Sequence, residues 1–233
     1  DERAMMPLRD ENPSRITPLV TYAVFGACIV AFLWQLSLGE RMQAAVYSLG
    51  LIPAVLFGVV DLPPPLQVVP PVATIFTSMF LHGSLLHIGS NMLYLWIFAD
   101  NIEEVLGHGR FVLFYLLCGV AAAMAQALPD PASQVPMIGA SGAISGVLGA
   151  YLVLFPTARV LVLVPIGFVL TTARLPAVIV LGLWFALQLL SSVLAPPGEG
   201  GGVAFGAHIG GFVAGMGLIW LFPRRDRRRS RGR

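Results

Sequence analysis

The chain has 233 residues, of which 57% are hydrophobic and 11% are charged. Because about a quarter of the residues in a typical globular protein are charged, this composition excludes an ordinary soluble domain and favours a surface that faces the lipid bilayer. The formal net charge is +2, every basic residue is an arginine, and seven of the fourteen lie between Arg224 and Arg233. A polybasic run directly after an apolar helix is typical of the cytoplasmic membrane face, so we predict contact with lipid rather than with nucleic acid.

Six apolar stretches are predicted to cross the membrane as helices, since a helix needs about 20 residues to span the hydrocarbon core. In chain order they cover residues 17–38, 84–100 with an extension to 106, 110–128, 141–155, 177–193 and 203–222. The connection 39–77 contains six prolines, which predicts a structured loop in the membrane interface. The apolar stretch 158–177 is interrupted by Pro165, Gly167 and Pro176 and is predicted to be a partly embedded loop.

The predicted fold is an all-α membrane protein, a six-transmembrane-helix bundle with an interfacial first loop. The bundle covers residues 17–222, between a cytoplasmic N-terminal segment 1–16 and a polybasic cytoplasmic tail 223–233. Basic residues collect in cytoplasmic loops, and with both termini in the cytoplasm Arg41 is the one basic residue of the fourteen that faces outward. The sequence therefore predicts a multi-pass protein of the cell membrane, meaning an inner or plasma membrane.

Polar side chains inside transmembrane helices are costly and mark candidate functional sites. The candidates are His87 and Asn91 in the second stretch, Ser141 and Ser145 in the fourth, and His208 in the sixth. The histidines and Ser141 each lie within about two turns of the outer end of their stretch. A helical rise of about 1.5 Å per residue then predicts that all three lie at one depth.

Small residues recur on one face of the fourth stretch and on one face of the sixth. These residues are Ser141, Ser145 and Gly149 in the fourth, and Gly211 and Gly215 beside His208 in the sixth, with Gly206 and Gly210 as a further pair. Such faces let two helix backbones approach closely, which a serine hydroxyl needs if it is to come within about 3 Å of an imidazole nitrogen. Burial disfavours the imidazolium form, so His208 is predicted to take the proton of Ser141 as a general base.

An oxyanion site is predicted beside Ser141. The first N–H groups of a helix lack intrahelical partners and lie at the positive end of its dipole, so the N–H groups of Ser141 and Gly142 are candidates to face a developing negative charge. His87 and Asn91 are four residues apart and project from one helix face, and they are predicted to assist. Ser145 lies one turn deeper and is the alternative nucleophile.

Neither a catalytic triad nor a metal site is predicted. The acidic residues Asp100, Glu103 and Glu104 lie toward the cytoplasmic end of the second stretch, which leaves a Ser-His dyad. The sequence contains no His-Glu-x-x-His motif and no intramembrane aspartyl pair, and no cofactor is predicted. Cys28 and Cys118 lie in apolar stretches and are predicted to be buried thiols rather than a disulfide.

Together these motifs resemble the rhomboid family of intramembrane serine proteases. Gly139-Ala140-Ser141-Gly142 resembles the nucleophile motif of that family, and Ala207-His208 followed by Ile209-Gly210-Gly211 resembles its histidine motif. His82, the run from His87 to Asn91, Ile102-Glu103 and Leu106-Gly107 resemble the second helix of the family. The resemblance covers about residues 7–222, with the motifs in the same order.

The resemblance implies cleavage of single-pass transmembrane proteins near the outer membrane boundary, after a small residue. Two positions depart from the family pattern. Ala73-Thr74 stands where many members carry Trp-Arg, and Ser145 stands where an aromatic residue often packs on the histidine, so the imidazole must be held in another way. His82 and Glu103 are predicted to be structural, and the fifth stretch with residues 195–202 is a candidate gate for substrate by family analogy.

Two other functions remain alternatives. A non-catalytic rhomboid-like protein would bind membrane clients without cutting them, although such proteins usually lack the serine or the histidine. A small transporter would also contain broken helices and polar midplane residues, but the two halves of the sequence show no repeat symmetry. The sequence indicates neither an oligomeric state nor a particular substrate.

Overall fold

A computed structural model of the chain describes residues 6–166, 169–194 and 204–222. These residues fold mainly into helices, with one small sheet. The helices are α1 (Leu19–Ser37), α2 (Met42–Leu49), α3 (Pro53–Leu56), α4 (Thr74–Thr77), α5 (Leu85–Leu106), α6 (His108–Ala127), α7 (Ser141–Leu154), α8 (Ala177–Leu194) and α9 (Phe205–Leu218). The strands are β1 (Met6–Asp10), β2 (Arg159–Ile166) and β3 (Val169–Pro176).

The helices identify a multi-pass membrane protein. Among the described residues, α1, α6 and α8 are each long and apolar enough to cross a membrane, and the bent pair Pro71–Phe80 and Leu85–Leu106 qualifies as a fourth span. Helices α7 and α9 are apolar but have only 14 residues each. At about 1.5 Å per residue they are about 21 Å long, shorter than a hydrocarbon core of about 30 Å.

Helix α7 is the centre of the bundle. Its residues from Gly142 to Tyr151 are all buried, and it packs against α5, α6, α8 and α9. Glycine and alanine make this central position possible, because small side chains let the surrounding helices approach the α7 backbone. The helix that begins with Ser141 is therefore enclosed by its neighbours.

A three-stranded antiparallel sheet, in the order β1-β2-β3, corrects the all-α prediction. The stretch predicted as an embedded loop forms the hairpin β2–β3, and β1 from the N-terminal segment adds a third strand. Val160 and Val162 are fully buried, which shows the two-residue alternation of a half-buried strand. The hydroxyl of Tyr151 in α7 donates to Asp10 Oδ2 at 2.7 Å and ties the sheet to the bundle.

The sheet marks one end of the bundle. The carboxylate of Glu103, near the end of α5, is fully buried and accepts hydrogen bonds from the N–H groups of Val20 and Thr21 at 2.9 and 2.8 Å. Acidic side chains are favourable at helix N-termini, so Glu103 fastens the start of α1 at this end.

Five described arginines belong to segments at this end, whereas Arg41 follows α1 at the opposite end; the five are Arg9, Arg15, Arg110, Arg159 and Arg174. The polybasic tail lies outside the described residues.

The first connection is fixed to the bundle at several points, although Ala73-Thr74 replaces the expected Trp-Arg. The side chain of Gln35 in α1 donates to the carbonyl of His82 and accepts from its N–H, at 3.2 and 2.9 Å. Leu51 exchanges two backbone hydrogen bonds with Met137, and the N–H of Gly139 donates to the carbonyl of Ser78 at 2.9 Å. The connection therefore holds the segment that leads into α7.

Candidate active site

Ser141 and His208 lie in direct contact. Ser141 is the first residue of α7 and His208 lies in the first turn of α9. The Ser141 Oγ is 2.8 Å from the His208 Nε2, which is hydrogen-bond distance and the separation that a nucleophile and its general base require. Both residues line a cavity of about 530 Å³.

Glycines bring the two helices close enough for this contact. A Cβ atom on Gly211 would overlap the carbonyl group of Gly142, and one on Gly215 would overlap the carbonyl group of Gly146. The expected close approach of α7 and α9 is thus present, with glycine facing backbone at successive turns. Gly206 and Gly210, by contrast, face α6 rather than α7.

His87 and Asn91 reach the same site from α5. A Cβ atom on Gly139 would lie 2.7 Å from the His87 Nε2 and 3.6 Å from the Asn91 Nδ2, so both side chains lie beside the segment that precedes Ser141. Gly139 has a φ of +120°, a conformation that glycine adopts readily and other residues avoid. The turn into α7 and the close approach of His87 both require glycine at this position.

Asn91 contributes a donor with no partner. Its Nδ2 is buried, lines the cavity and has no hydrogen bond to any part of the chain that the structure describes. A buried polar group without a partner is unusual and calls for an explanation. An anionic oxygen in the cavity is one partner that such a donor fits.

Ser145 occupies a different environment from Ser141. Its side chain is almost fully buried, and its Oγ donates to the carbonyl of Ser141 at 2.7 Å. This is a bond from a helical serine to the carbonyl four residues earlier, a common arrangement for serine inside a helix. The hydroxyl of Ser145 is therefore engaged with its own helix, while that of Ser141 faces an imidazole.

Two residues of α8 that sequence reasoning missed also contact His208. The Gln188 Oε1 lies 2.8 Å from the His208 Nδ1, and the rings of Trp184 and His208 have centroids 5.9 Å apart. The signal for Gln188 was a single amide side chain in the middle of the most apolar predicted helix. Trp184 gave no signal, because an aromatic residue in an apolar helix is unremarkable.

The other polar candidates lie away from the Ser141 hydroxyl. His82 is fully buried, with its Nδ1 3.2 Å from the carbonyl of Phe80 and its ring against that of His87. Glu103 is at the opposite end of α5, bound to α1 and to His108. Across the described ranges, no group of three or more His, Cys, Asp or Glu residues could hold a metal ion, and Cys28 and Cys118 are buried free thiols.

Comparison with known proteins gives the family. The sequence model of the rhomboid domain matches residues 70–225, two thirds of the chain and every residue of the site. This chain belongs to the rhomboid family. Helix α7 and the glycine-lined α7–α9 contact both lie within the matched residues.

Curated relatives include several rhomboid proteins. The chain is 35% identical over 142 residues to Rhomboid protease GluP of Bacillus subtilis and 30% identical over 158 residues to Rhomboid protein 1, mitochondrial, of Saccharomyces cerevisiae. It is 38% identical over 88 residues to the Presenilin-associated rhomboid-like protein, mitochondrial, of Mus musculus. These alignments cover 61%, 65% and 37% of the chain, but only 24%, 42% and 23% of the respective relatives. The chain therefore spans less than half the length of these three proteins.

Proposed function

We propose that this rhomboid protein is an intramembrane serine endopeptidase in which Ser141 is the nucleophile and His208 the general base. The observation that carries the proposal is the 2.8 Å contact between the Ser141 Oγ and the His208 Nε2. Homology to rhomboid proteases supports a serine peptidase. A serine hydroxyl is a weak nucleophile by itself, and an adjacent imidazole is the usual means of activating it.

The proposed reaction is acyl transfer in two stages. The Ser141 Oγ attacks the peptide carbonyl carbon while its proton moves to the His208 Nε2, and the carbonyl oxygen becomes an oxyanion. The carbon–nitrogen bond then breaks, and His208 returns the proton to the leaving amine. Water, deprotonated by His208, finally attacks the acyl carbon and releases the new carboxylate and the free serine.

The oxyanion is proposed to lie between α5 and the start of α7. The N–H groups of Ser141 and Gly142 are at the N-terminus of α7, where the helix dipole favours negative charge. The buried Nδ2 of Asn91 adds a donor, and His87 adds another from the same face of α5. Preorganised donors of this kind each contribute about 3 kcal/mol to transition-state stabilisation.

The substrates are proposed to be single-pass transmembrane proteins, cut near the outer membrane boundary after a small residue. His87, Ser141 and His208 each lie near the start of their helix, at the end of the bundle opposite the sheet and its arginines. If the arginine-rich end is cytoplasmic, the site lies a short distance below the outer surface. The chain would then cross the cell membrane six times, with α7 and α9 as short spans and both termini in the cytoplasm.

Cleavage of a model single-pass substrate in proteoliposomes tests the proposal. We expect cleavage by the wild type and by Ser145→Ala, and none by Ser141→Ala. Ser145→Ala is a matched control, because it removes a hydroxyl from the same helix one turn further on. Full cleavage by Ser141→Ala would rule out the proposed nucleophile.

A serine-reactive fluorescent phosphonate separates the enzyme from a non-catalytic rhomboid-like protein that binds membrane clients. We expect the wild type to be labelled and Ser141→Ala to remain unlabelled. A wild type that neither reacts with the phosphonate nor cuts any of several substrates would favour the binding protein. Substrate capture without cleavage would then be the expected activity.

A further inference from the structure

Gln188 places an amide group beside the ring nitrogen of His208 that does not contact Ser141. The residue lies in α8, where its neighbours along the helix are almost all apolar. An unpaired amide in a membrane-spanning helix is costly, but the Oε1 of Gln188 lies 2.8 Å from the His208 Nδ1. One imidazole therefore joins two helices, through Nε2 to α7 and through Nδ1 to α8.

The two contacts are chemically linked. A neutral imidazole carries one proton, and the nitrogen that carries it cannot accept another. An amide oxygen opposite Nδ1 favours the tautomer with the proton on Nδ1, because only that tautomer can donate to the oxygen. The lone pair is then on Nε2, where the proton of the Ser141 hydroxyl must go.

We propose that Gln188 is a positioning residue that holds His208 in the tautomer and orientation of a general base; the role in catalysis rests on the proposed function. The same logic applies wherever a hydrogen bond to one ring nitrogen decides which form the other takes. Gln188 itself touches no reacting atom. It acts through the imidazole, as a neutral acceptor in a site that has no carboxylate within hydrogen-bond distance of His208 among the described residues.

Trp184 supports the same placement. It lies one turn before Gln188 on α8, and its ring contacts those of His208 and Phe212, with centroids 5.9 Å away in each case. Ser145 leaves no aromatic ring on α7 to pack against the imidazole. The imidazole is instead held from α8, by a hydrogen bond at its edge and an aromatic contact with its ring.

Kinetics of three variants test the proposal. Gln188→Met keeps the length of the side chain but offers only a weak acceptor, so we expect kcat to fall roughly tenfold or more, part of the roughly 10²- to 10⁴-fold that a general base supplies. We expect KM to stay within about twofold, because Gln188 is not proposed to bind substrate. Gln188→Glu keeps an acceptor oxygen at this position and should keep kcat near that of the wild type. Ser192→Ala, an exposed polar position one turn further along α8, should behave as the wild type.

The ring nitrogens of His208 provide a readout that does not depend on activity. The chain has four histidines, and a proton–nitrogen correlation spectrum of ¹⁵N-histidine protein, assigned by comparison with His208→Asn, reports which nitrogen is protonated. We expect the Nδ1–H tautomer in the wild type and in Ser141→Ala, and a mixed population in Gln188→Met.

The outcomes separate this proposal from the proposed function. An Nε2–H tautomer in the wild type, or unchanged kcat in Gln188→Met, would overturn the role of Gln188 while leaving the protease intact. Equal loss of kcat in Gln188→Glu and Gln188→Met would also overturn it, because the acceptor would then not be what matters. A wild type that is inert to substrates and phosphonate would overturn the proposed function, whereas the tautomer measurement would still decide whether Gln188 fixes the ring.

Discussion

Asn91 and Asn101 are two asparagines of one helix, α5, and their hydrogen bonding differs. Asn91, near the start of α5, keeps its Nδ2 free of hydrogen bonds to the described residues. Asn101, near the end, exchanges hydrogen bonds with Asn12, at 2.8 Å to its backbone carbonyl and 2.9 Å from its side chain. One side chain therefore leaves a donor available to a ligand, while the other joins α5 to the N-terminal segment.

This contrast gives a prediction for Asn91→Ala and Asn101→Ala. Loss of one oxyanion donor should lower kcat of Asn91→Ala roughly 10²-fold. The thermal midpoint in detergent should be retained, because the Asn91 Nδ2 has no hydrogen bond to a described residue that the substitution could break. Loss of two hydrogen bonds should destabilise Asn101→Ala by about 1–3 kcal/mol, with kcat at permissive temperature retained. Cleavage assays and thermal melts of both variants check this. A lowered midpoint without a loss of kcat in Asn91→Ala would make that residue structural.

At the scale of single residues, the sequence predicted the contact but not its surroundings. Ser141 and His208 could be paired because a helix converts sequence position into depth, and few polar residues compete at that depth. Gln188 was not among the predicted site residues, although it is the one amide side chain in the fifth apolar stretch. Its partner nitrogen could not have been predicted in any case, since the rotation of α8 about its axis is set by packing against α9 rather than by its own sequence.

Among the elements, the long apolar helices were predicted within two residues at nearly every described end. Long apolar runs bounded by proline or polar residues fix such ends. The hairpin β2–β3 was not predicted, because Pro165 and Gly167 suggested a loop. The alternation of valine and leucine from Val160 to Val164 was the available signal, but in a run that is apolar on both faces the two-residue period is hard to recognise.

At the scale of elements, the α7–α9 contact leaves no space for an added methyl group at several glycines. On α9, a Cβ atom on Gly215 would overlap backbone atoms of Gly146, whereas one on Gly217 would meet nothing within 4 Å. We expect Gly215→Ala to destabilise the protein by about 1–3 kcal/mol, as overpacking does, and to lower kcat by separating His208 from Ser141. Gly217→Ala, two residues away on the same helix, should leave both quantities unchanged. Thermal melts and cleavage assays measure the difference, and equal behaviour of the two variants would contradict the packing argument.

At the scale of the whole molecule, five of the described arginines and the candidate site lie at opposite ends of the bundle. The sheet, the end of α5 bound to the start of α1, and the end of α7 all lie at one end of the bundle. Ser141, His208 and His87 lie near the helix starts at the other end. Because basic residues favour the cytoplasmic side, the charge distribution also predicts the side of the membrane from which water and substrate reach the serine.

Sidedness can be measured with single cysteines in a variant from which the buried Cys28 and Cys118 have been replaced by alanine. Glu40→Cys is exposed where α1 ends, and Thr157→Cys is exposed in the turn between α7 and β2. With a membrane-impermeant maleimide, we expect Glu40→Cys to react in right-side-out vesicles and Thr157→Cys only in inverted ones. Reversed labelling would place the site at the cytoplasmic surface and overturn the proposed cleavage near the outer boundary. Labelling of both positions from the same side would instead contradict the number of spans between them, since α5, α6 and α7 would then not carry the chain across the membrane an odd number of times.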